Sequence, residues 1–229
     1  MATGTVEAKP GAVGNNVGNS ADNRVGIYGG AFDPVHRAHI ALAQAALVQF
    51  ELREVVFIPS GNPPHRTLTG ASVQDRWAML DLAVSDHAGF VCDDWELQQS
   101  SVTYTYETLQ HFCQTKNTEY FFLMGEDSLL DFTSWYKWSA ILQLCHLAVA
   151  KRPGLEVRDL PAELSERVVD FKSDKNMRSG NIYFIESEEL AISATSIRES
   201  VSVGAEDWRA QVHPSVAQYI QGNRLYQNV

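Results

Sequence analysis

Short apolar runs recur along the chain, and they alternate with longer segments that have the pattern of a helix. The runs at residues 25–28, Glu54–Pro59, 120–124 and His146–Ala150 are almost continuously apolar rather than alternating. Strands with this pattern are typically buried on both faces, as in parallel sheets covered by helices. The order of the segments therefore predicts an open α/β fold, a Rossmann-like parallel sheet with helices on both faces that binds ligands at the carboxyl ends of its strands.

Two further strands are predicted at residues 90–95 and 181–185. The predicted helices alternate with the strands or close the chain, and they span residues 36–50, 72–85, 104–115, 127–132, 137–144, 195–201 and 214–221. No internal period of about 20–50 residues indicates a repeat architecture.

The first 24 residues have a different composition from the rest. They are rich in Gly, Asn, Ala and Ser and contain no aromatic residue. Such a segment buries too little apolar surface to offset the entropy lost on ordering. We interpret residues 1–24 as a flexible N-terminal tail and residues 25–229 as one folded domain.

The charge balance and the cysteines limit the possible functions. The chain has 28 acidic and 18 basic residues, a net charge of −10, which disfavours a broad surface for nucleic acid but leaves room for a locally positive pocket. Its three cysteines form no CxxC pair, which favours reduced thiols and a cytoplasmic location. No apolar run approaches the roughly 18 residues of a membrane span. No basic segment followed by an apolar one indicates a secretion signal.

The junction between the first strand and the first helix carries the sharpest motif, GIYGGAFDPVHRAH, at residues 26–39. Gly29 and Gly30 are predicted to allow a tight turn and a close approach of the backbone to a ligand. Asp33 is expected to accept hydrogen bonds from the free N–H groups of the helix, and Pro34 to pre-set its first turn. This junction is therefore the first candidate for a ligand site.

His36 and His39 lie three residues apart in this motif, so they share one face of a first helical turn. The free N–H donors and partial positive charge of the helix N-terminus lie beside them. Together these groups predict a compact site for a polyphosphate. The alternatives are two surface histidines or a metal-binding pair, although a metal pair normally needs a third ligand and no HEXXH motif is present.

These residues resemble a known family. GGAFDPVHRAH is similar to the GGTFDPVHxGH signature of the nucleotidyltransferase superfamily that shares the HxGH motif, and ISATSIR at residues 192–198 is similar to its ISxTxxR signature. Motifs between the two resemble bacterial nicotinate-nucleotide adenylyltransferases, and they are PPHR at 63–66, YT at 104–105, GEDSL at 125–129, WY at 135–136 and KRPG at 151–154. The resemblance extends from residue 25 to the carboxyl terminus.

The resemblance implies an enzyme that transfers AMP from ATP to nicotinate mononucleotide, giving deamido-NAD and pyrophosphate in NAD biosynthesis. Its implied partners are ATP, with Mg²⁺ carried on the nucleotide, and the mononucleotide, without nucleic acid or membrane. The attacking group is a phosphate anion, so in-line attack needs positioning and charge stabilisation rather than a nucleophilic Ser or Cys. A monomer and a homo-oligomer both remain open.

The resemblance also implies the roles of particular residues. It assigns catalysis to His36, His39 and Arg198. Further contacts to ATP are assigned to residues of the two signatures and to one strand end, namely Gly29, Gly30, Ala31, Phe32, Ser193, Thr195, Ile197 and Asp127. Contacts to the mononucleotide are assigned to residues of the middle motifs, namely His65, Arg66, Thr105, Trp135, Tyr136 and Arg152.

Several of these residues also have structural interpretations. SATSIR suits a capped helix with an exposed arginine, and the loop with His65 and Arg66 suits a solvated, proline-rich turn. Trp135 offers a flat face for a pyridine ring but is also a natural core residue. Asp127 suits either a ribose or metal contact or a helix N-cap.

Two departures from the family pattern favour alternatives. Ala31 replaces a Thr or Ser, which removes a hydrogen bond of about 0.5–1.5 kcal/mol, and Ala38 replaces a Gly. These changes support a nucleotide-binding sensor without catalysis. A second alternative is the same reaction on nicotinamide mononucleotide or phosphopantetheine, although the middle motifs disfavour phosphopantetheine.

Overall fold

The computed structural model describes residues 23–61, 70–115, 117–150, 157, 160–174, 179–187 and 190–227. Residues 1–22 of the predicted tail lie outside these ranges. Three predicted mononucleotide contacts, His65, Arg66 and Arg152, also lie outside the described residues.

One parallel sheet forms the centre of the described structure. Its strands are β1 (Arg24–Gly30), β2 (Glu54–Pro59), β3 (Phe90–Cys92), β4 (Glu119–Gly125), β5 (His146–Ala150) and β6 (Ile182–Ile185). The strand order is β3-β2-β1-β4-β5-β6. Because the chain reverses its direction across the sheet between β1 and β4, a crevice opens there at the carboxyl ends of the strands. The predicted fold class is confirmed.

Helices cover both faces of this sheet. They are α1 (Arg37–Gln49), α2 (Val73–Val84), α3 (Thr105–Phe112), α4 (Glu126–Leu130), α5 (Trp138–Leu144), α6 (Ala162–Ser165), α7 (Ala194–Ser202) and α8 (Pro214–Gly222). Short 3-10 helices lie at Trp95–Gln98, Phe132–Ser134 and Asp207–Gln211. Within the ranges that the structure describes, no helix has the length and apolar character needed to cross a bilayer.

The strand β4 shows why the strands read as continuous apolar runs. Phe121 and Leu123 point into the core layer that also contains residues of α1, α2, α7 and α8. Phe122 and Met124 point into the opposite layer, against α4 and α5. Alternate side chains of a strand face opposite sides, so a strand with two buried faces needs apolar residues at every position.

Several predicted boundaries differ from the structure; α3, for example, ends at Phe112 rather than at residue 115. Two of the differences have identifiable reasons. β3 ends at Cys92 rather than at residue 95, because the Asp93 carboxylate accepts the N–H of Trp95 at 2.8 Å and turns the chain into a 3-10 helix. β1 begins at Arg24, a residue predicted to be in the tail. Its guanidinium is buried and forms an ion pair with Glu119 at 2.9 Å, which holds this end of the strand.

Candidate active site

A cleft of about 1200 Å³ lies at the crevice between β1 and β4. Its walls are the carboxyl ends of both strands, the segment after β2, the start of α3, the segment from α4 to Tyr136, and the start of α7. Most of the predicted site residues that the structure describes line it. Those residues are Gly29, Gly30, Ala31, Phe32, His39, Thr105, Asp127, Trp135, Tyr136, Thr195 and Arg198.

The turn predicted at the glycines of the first signature lies elsewhere. Gly29 and Gly30 are the last residues of β1, and the turn lies at Phe32, which has a φ of 49°. A Cβ on Gly30 would lie 3.0 Å from the Phe32 ring, whereas one on Gly29 would make an ordinary contact with Phe122 at 3.6 Å. The prediction of a tight turn at the two glycines was therefore wrong, and a side chain at residue 30 would require the Phe32 ring to move by a few tenths of an ångström.

His36 and His39 are stacked, with ring centroids 3.7 Å apart. His36 is the N-cap of α1 and is buried, while His39 lines the cleft. The His36 N–H donates to Nδ1 of His39 at 3.2 Å, so the proton of a neutral His39 ring is on Nε2. His39 can therefore act as a hydrogen-bond donor without carrying a positive charge.

Burial keeps both rings neutral in the free protein. It lowers the pKa of His36 to about 4. Burial, with a further contribution from His36, lowers the pKa of His39 well below its usual range. A bound polyphosphate would oppose these shifts, because a nearby negative charge favours the protonated ring.

The second signature begins α7. Ser193 is the N-cap of this helix, and its hydroxyl accepts the Ser196 N–H at 3.1 Å. Arg198, half-buried one turn later, donates from Nη2 to the Thr195 hydroxyl at 3.2 Å. Ile197, predicted to contact ATP, is not among the described residues that line the cleft. Its side chain is 0% exposed, and its N–H donates to the Ser193 carbonyl at 3.1 Å.

The two signatures meet at Asp33. Its backbone carbonyl accepts Nη1 of Arg198 at 2.7 Å, across 165 positions of the sequence. Its buried carboxylate accepts the Ala71 N–H at 3.0 Å and the Tyr226 hydroxyl at 2.7 Å. The predicted role of Asp33 in starting α1 was therefore wrong, because α1 begins at Arg37 and the carboxylate is bonded elsewhere.

Arg76 is a further residue of the site that sequence reasoning missed. It is 0% exposed, and it donates to the Ala31 carbonyl at 2.8 Å and to the Ser60 carbonyl at 2.7 Å. It thus joins the loops that follow β1 and β2, both of which line the cleft. Its signal in the sequence is its place on the apolar face of α2, since Met79 and Ala83 follow it at helical spacing.

The far end of the cleft is aromatic. Trp135 is half-buried and packs against the rings of Phe122 and Phe132, so it has both a packing role and a face on the cleft. Tyr136 is 46% exposed, and its ring lies 4.7 Å from that of Tyr104. These flat surfaces suit a small aromatic ligand.

Polar groups surround this aromatic end. Thr105 is the first residue of α3, and Asp127 lies in the first turn of α4. Gly125 is the N-cap of α4, so the interpretation of Asp127 as the cap was wrong. Glu96, which sequence reasoning missed, accepts the Thr108 hydroxyl at 2.5 Å. Burial raises the pKa of Glu96, against the opposing effect of this bond.

Among the described residues, no group of three His, Cys, Asp or Glu side chains is placed to hold a metal ion.

The fold and the cleft define a class of protein. A parallel sheet carries a ligand site at its switch point, with the neutral His39, stacked on the buried His36, on one wall and a helix N-terminus with an arginine on another. The sequence profile of the cytidylyltransferase-like family matches residues 27–200. The chain therefore belongs to the nucleotidyltransferases of this family.

Closer relatives narrow the assignment. A probable nicotinate-nucleotide adenylyltransferase of a Synechococcus species is 37% identical over 205 residues, which cover 89% of this chain and 96% of that protein. One from Aeromonas hydrophila is 38% identical over 210 residues, covering 88% of this chain and 96% of that protein. The chain belongs to the nicotinate-nucleotide adenylyltransferase family, as the sequence motifs predicted.

A solved structure has the same fold. The nicotinic acid mononucleotide adenylyltransferase of Plasmodium falciparum, complexed with NaAD, is similar with a TM-score of 0.70. The two chains are 19% identical, and the match covers 90% of this chain and 98% of that one.

Proposed function

We propose that this protein transfers AMP from ATP to nicotinate mononucleotide and so produces deamido-NAD and pyrophosphate. The observation that carries the proposal is the bond between Arg198 and the Asp33 carbonyl, which places both signatures of the family on one cleft. The same cleft continues to an aromatic end with room for the pyridine ring. One cavity thus offers a phosphate site and an acceptor site together.

The phosphate end supplies donors rather than a nucleophile. Arg198 uses one N–H of each terminal nitrogen in its bonds to Asp33 and Thr195, and the other N–H groups of its fork can donate to phosphate oxygens. His39 offers Nε2–H from the first turn of α1, and His36 holds the His39 ring in place by stacking. These fixed donors stabilise the charge that develops as pyrophosphate leaves.

The acceptor end recognises the mononucleotide. Trp135 and Tyr136 provide flat faces for the pyridine ring, and Thr105 with the backbone N–H groups near Trp135 provides donors for the nicotinate carboxylate. Asp127 lines the same cleft and is assigned to a ribose. His65, Arg66 and Arg152 are assigned to the mononucleotide phosphate on the sequence motifs alone.

The reaction is an in-line displacement. An oxygen of the mononucleotide phosphate forms a bond to the α-phosphorus of ATP. The bond from the α-phosphorus to its bridging oxygen breaks, and the electron pair leaves with pyrophosphate. Because the attacking oxygen is already anionic at neutral pH, the chain needs to supply position and charge stabilisation rather than a general base.

The proposal also includes the metal ion that accompanies ATP and the location of the protein in the cell. Mg²⁺ enters with ATP as part of the substrate and neutralises phosphate oxygens, and Asp127 and Asp131 are carboxylates of the cleft with the oxygen atoms that this ion prefers. The free cysteines Cys92, Cys113 and Cys145 favour a cytoplasmic location.

A pyrophosphate-release assay with ATP and Mg²⁺ tests this function. Nicotinate mononucleotide and nicotinamide mononucleotide are compared at matched concentrations, with a reaction lacking either acceptor as the control. We expect a strong preference for the carboxylate. Equal rates would contradict the assigned specificity, and no release with either compound, together with ATP binding by calorimetry, would favour the nucleotide-binding sensor.

A further inference from the structure

The segment after α8 returns to the first signature. Tyr226 is 5% exposed, and its hydroxyl donates to Oδ1 of Asp33 at 2.7 Å, across 193 positions of the sequence. Two non-glycine residues of this segment, Arg224 and Tyr226, have positive φ angles of 54° and 63°. Such angles are unfavourable for these residues and persist only where the surrounding contacts hold them. The contact with Asp33 is one that holds Tyr226.

Asp33 is held on several sides. Besides the Tyr226 hydroxyl, its carboxylate accepts the Ala71 N–H at 3.0 Å. Gly70 packs directly on it, since a Cβ at Gly70 would lie 1.8 Å from Oδ2. The carbonyl of the same residue accepts Nη1 of Arg198 at 2.7 Å. Because these bonds tie the side chain of Asp33 to Ala71 and Tyr226, they restrain its backbone, and a shift of that backbone would move the carbonyl oxygen that orients the arginine.

We propose that Tyr226 is a positioning residue for phosphate binding, which acts by fixing Asp33 and through it the guanidinium of Arg198. Tyr226 is not among the residues that line the cleft within the described structure, so it has no assigned contact with substrate. The inference rests on the proposed function, because it assigns Arg198 to the ATP phosphates. Burial and the neighbouring Asp33 carboxylate raise the pKa of the Tyr226 hydroxyl, which keeps it a donor at every working pH.

Tyr226→Phe tests the proposal, because it removes the hydroxyl and keeps the ring. We expect kcat to fall about tenfold and the KM for ATP to rise about threefold, the size of effect that a small displacement of a positioned group produces. The KM for the mononucleotide should stay the same. Tyr219→Phe is a matched control. The Tyr219 hydroxyl on α8 donates to Oδ1 of Asp75 at 3.0 Å, and neither residue lines the cleft. This control should keep the kinetic constants of the unchanged protein.

A double-mutant cycle separates positioning from simple stabilisation. In an Arg198→Lys background the oriented fork is absent, so Tyr226→Phe should reduce kcat less than twofold further. Thermal midpoints of all variants show whether each is folded at the assay temperature. Equal fold-losses in both backgrounds, or a lowered midpoint with unchanged kcat and KM, would overturn the proposal.

The inference can be judged even if the proposed reaction fails. If the unchanged protein releases no pyrophosphate, the same variants are compared by calorimetric titration with ATP and Mg²⁺. Tyr226→Phe should then weaken ATP binding about threefold, while Tyr219→Phe leaves it unchanged. Equal affinity of the two variants for ATP would refute the link between Tyr226 and the phosphate site.

Discussion

Replacing Arg198 with alanine should remove catalysis while leaving most of the stability. The fork has N–H groups for about two bonds to phosphate oxygens, and bonds to charged groups contribute about 1.5–3 kcal/mol each. Their loss from the transition state therefore amounts to about 3–6 kcal/mol, or roughly 10²–10⁴ in kcat/KM. In the free protein the side chain is half-buried and makes two bonds, to Asp33 and Thr195. Because water can replace both partners, the free energy of unfolding should fall by only about 1–2 kcal/mol.

The assay measures both quantities on the same preparations. Steady-state pyrophosphate release gives kcat/KM for ATP, and urea unfolding gives the free energy of unfolding. Arg198→Lys keeps the charge but loses the planar fork, so its activity should lie between those of the unchanged protein and the alanine variant. Arg209→Ala is the control, since Arg209 pairs with Glu206 and does not line the cleft. It should change neither quantity appreciably.

Two results would refute this reasoning. A kcat/KM of Arg198→Ala within about threefold of the unchanged value would mean that the fork makes no bond in the transition state. A large loss of activity that follows the loss of folded protein would mean that Arg198 is a structural residue.

Three further substitutions or conditions test the rest of the site. Arg76→Met removes both bonds between the loops after β1 and β2, and we expect kcat/KM to fall about tenfold with a lower thermal midpoint. Gly30→Ala places a Cβ 3.0 Å from the Phe32 ring and should cost about 1–3 kcal/mol of stability in urea unfolding. The pKa values of His36 and His146 are about 4 in the folded protein against 6.5 for an exposed ring, so the unfolded chain binds more protons between these values. The contribution of these histidines to the free energy of unfolding should be fully present near pH 7. It should fall as the pH drops from about 6.5 to 4, by up to roughly 1.4 kcal/mol per pH unit for each histidine, measured by urea unfolding.

Matched controls make these outcomes specific. Gly125→Ala adds a Cβ with no atom within 4 Å, so equal stability losses at Gly30 and Gly125 would contradict the steric argument. Arg37 is an exposed arginine, and an Arg37→Met variant that matched Arg76→Met would show that the loss does not come from the buried bonds. His146→Phe should reduce the dependence of stability on pH but not abolish it, because His36 still contributes, and an unchanged slope would contradict the lowered pKa of His146.

The fold could be predicted because its signal is local. In β4 the side chains on both faces of the sheet are buried, so every residue from Tyr120 to Met124 is apolar. The runs of β1, β2 and β5 carried the same signal, and helical patterns alternated with most of the strands. The place of the site also followed, since the first signature comes directly after β1 and the carboxyl ends of parallel strands share one edge.

Contacts between distant parts of the sequence could not be predicted. Asp33 has the residue type and spacing of a helix cap, and only the fold brings Ala71 and Tyr226 to its carboxylate. Arg76 lies on the apolar face of α2, but only the fold brings the carbonyls of two loops to its guanidinium. Ile197 lies within a signature, and its burial depends on how α7 packs on the sheet.

The two departures from the family signature bear on whether the protein is an enzyme or a sensor. The carbonyl of Ala31 is fixed by Arg76 at 2.8 Å, so the position of the loop does not depend on the side chain at residue 31. Ala38 is not among the described residues that line the cleft, and the methyl group it adds therefore does not narrow the nucleotide site directly. The missing hydroxyl at Ala31 removes one hydrogen bond of about 0.5–1.5 kcal/mol, which is at most about a tenfold effect on rate. His39 and Arg198 both line the cleft. The two departures are therefore too small to turn a transferase into a binding protein. They favour catalysis at a reduced rate.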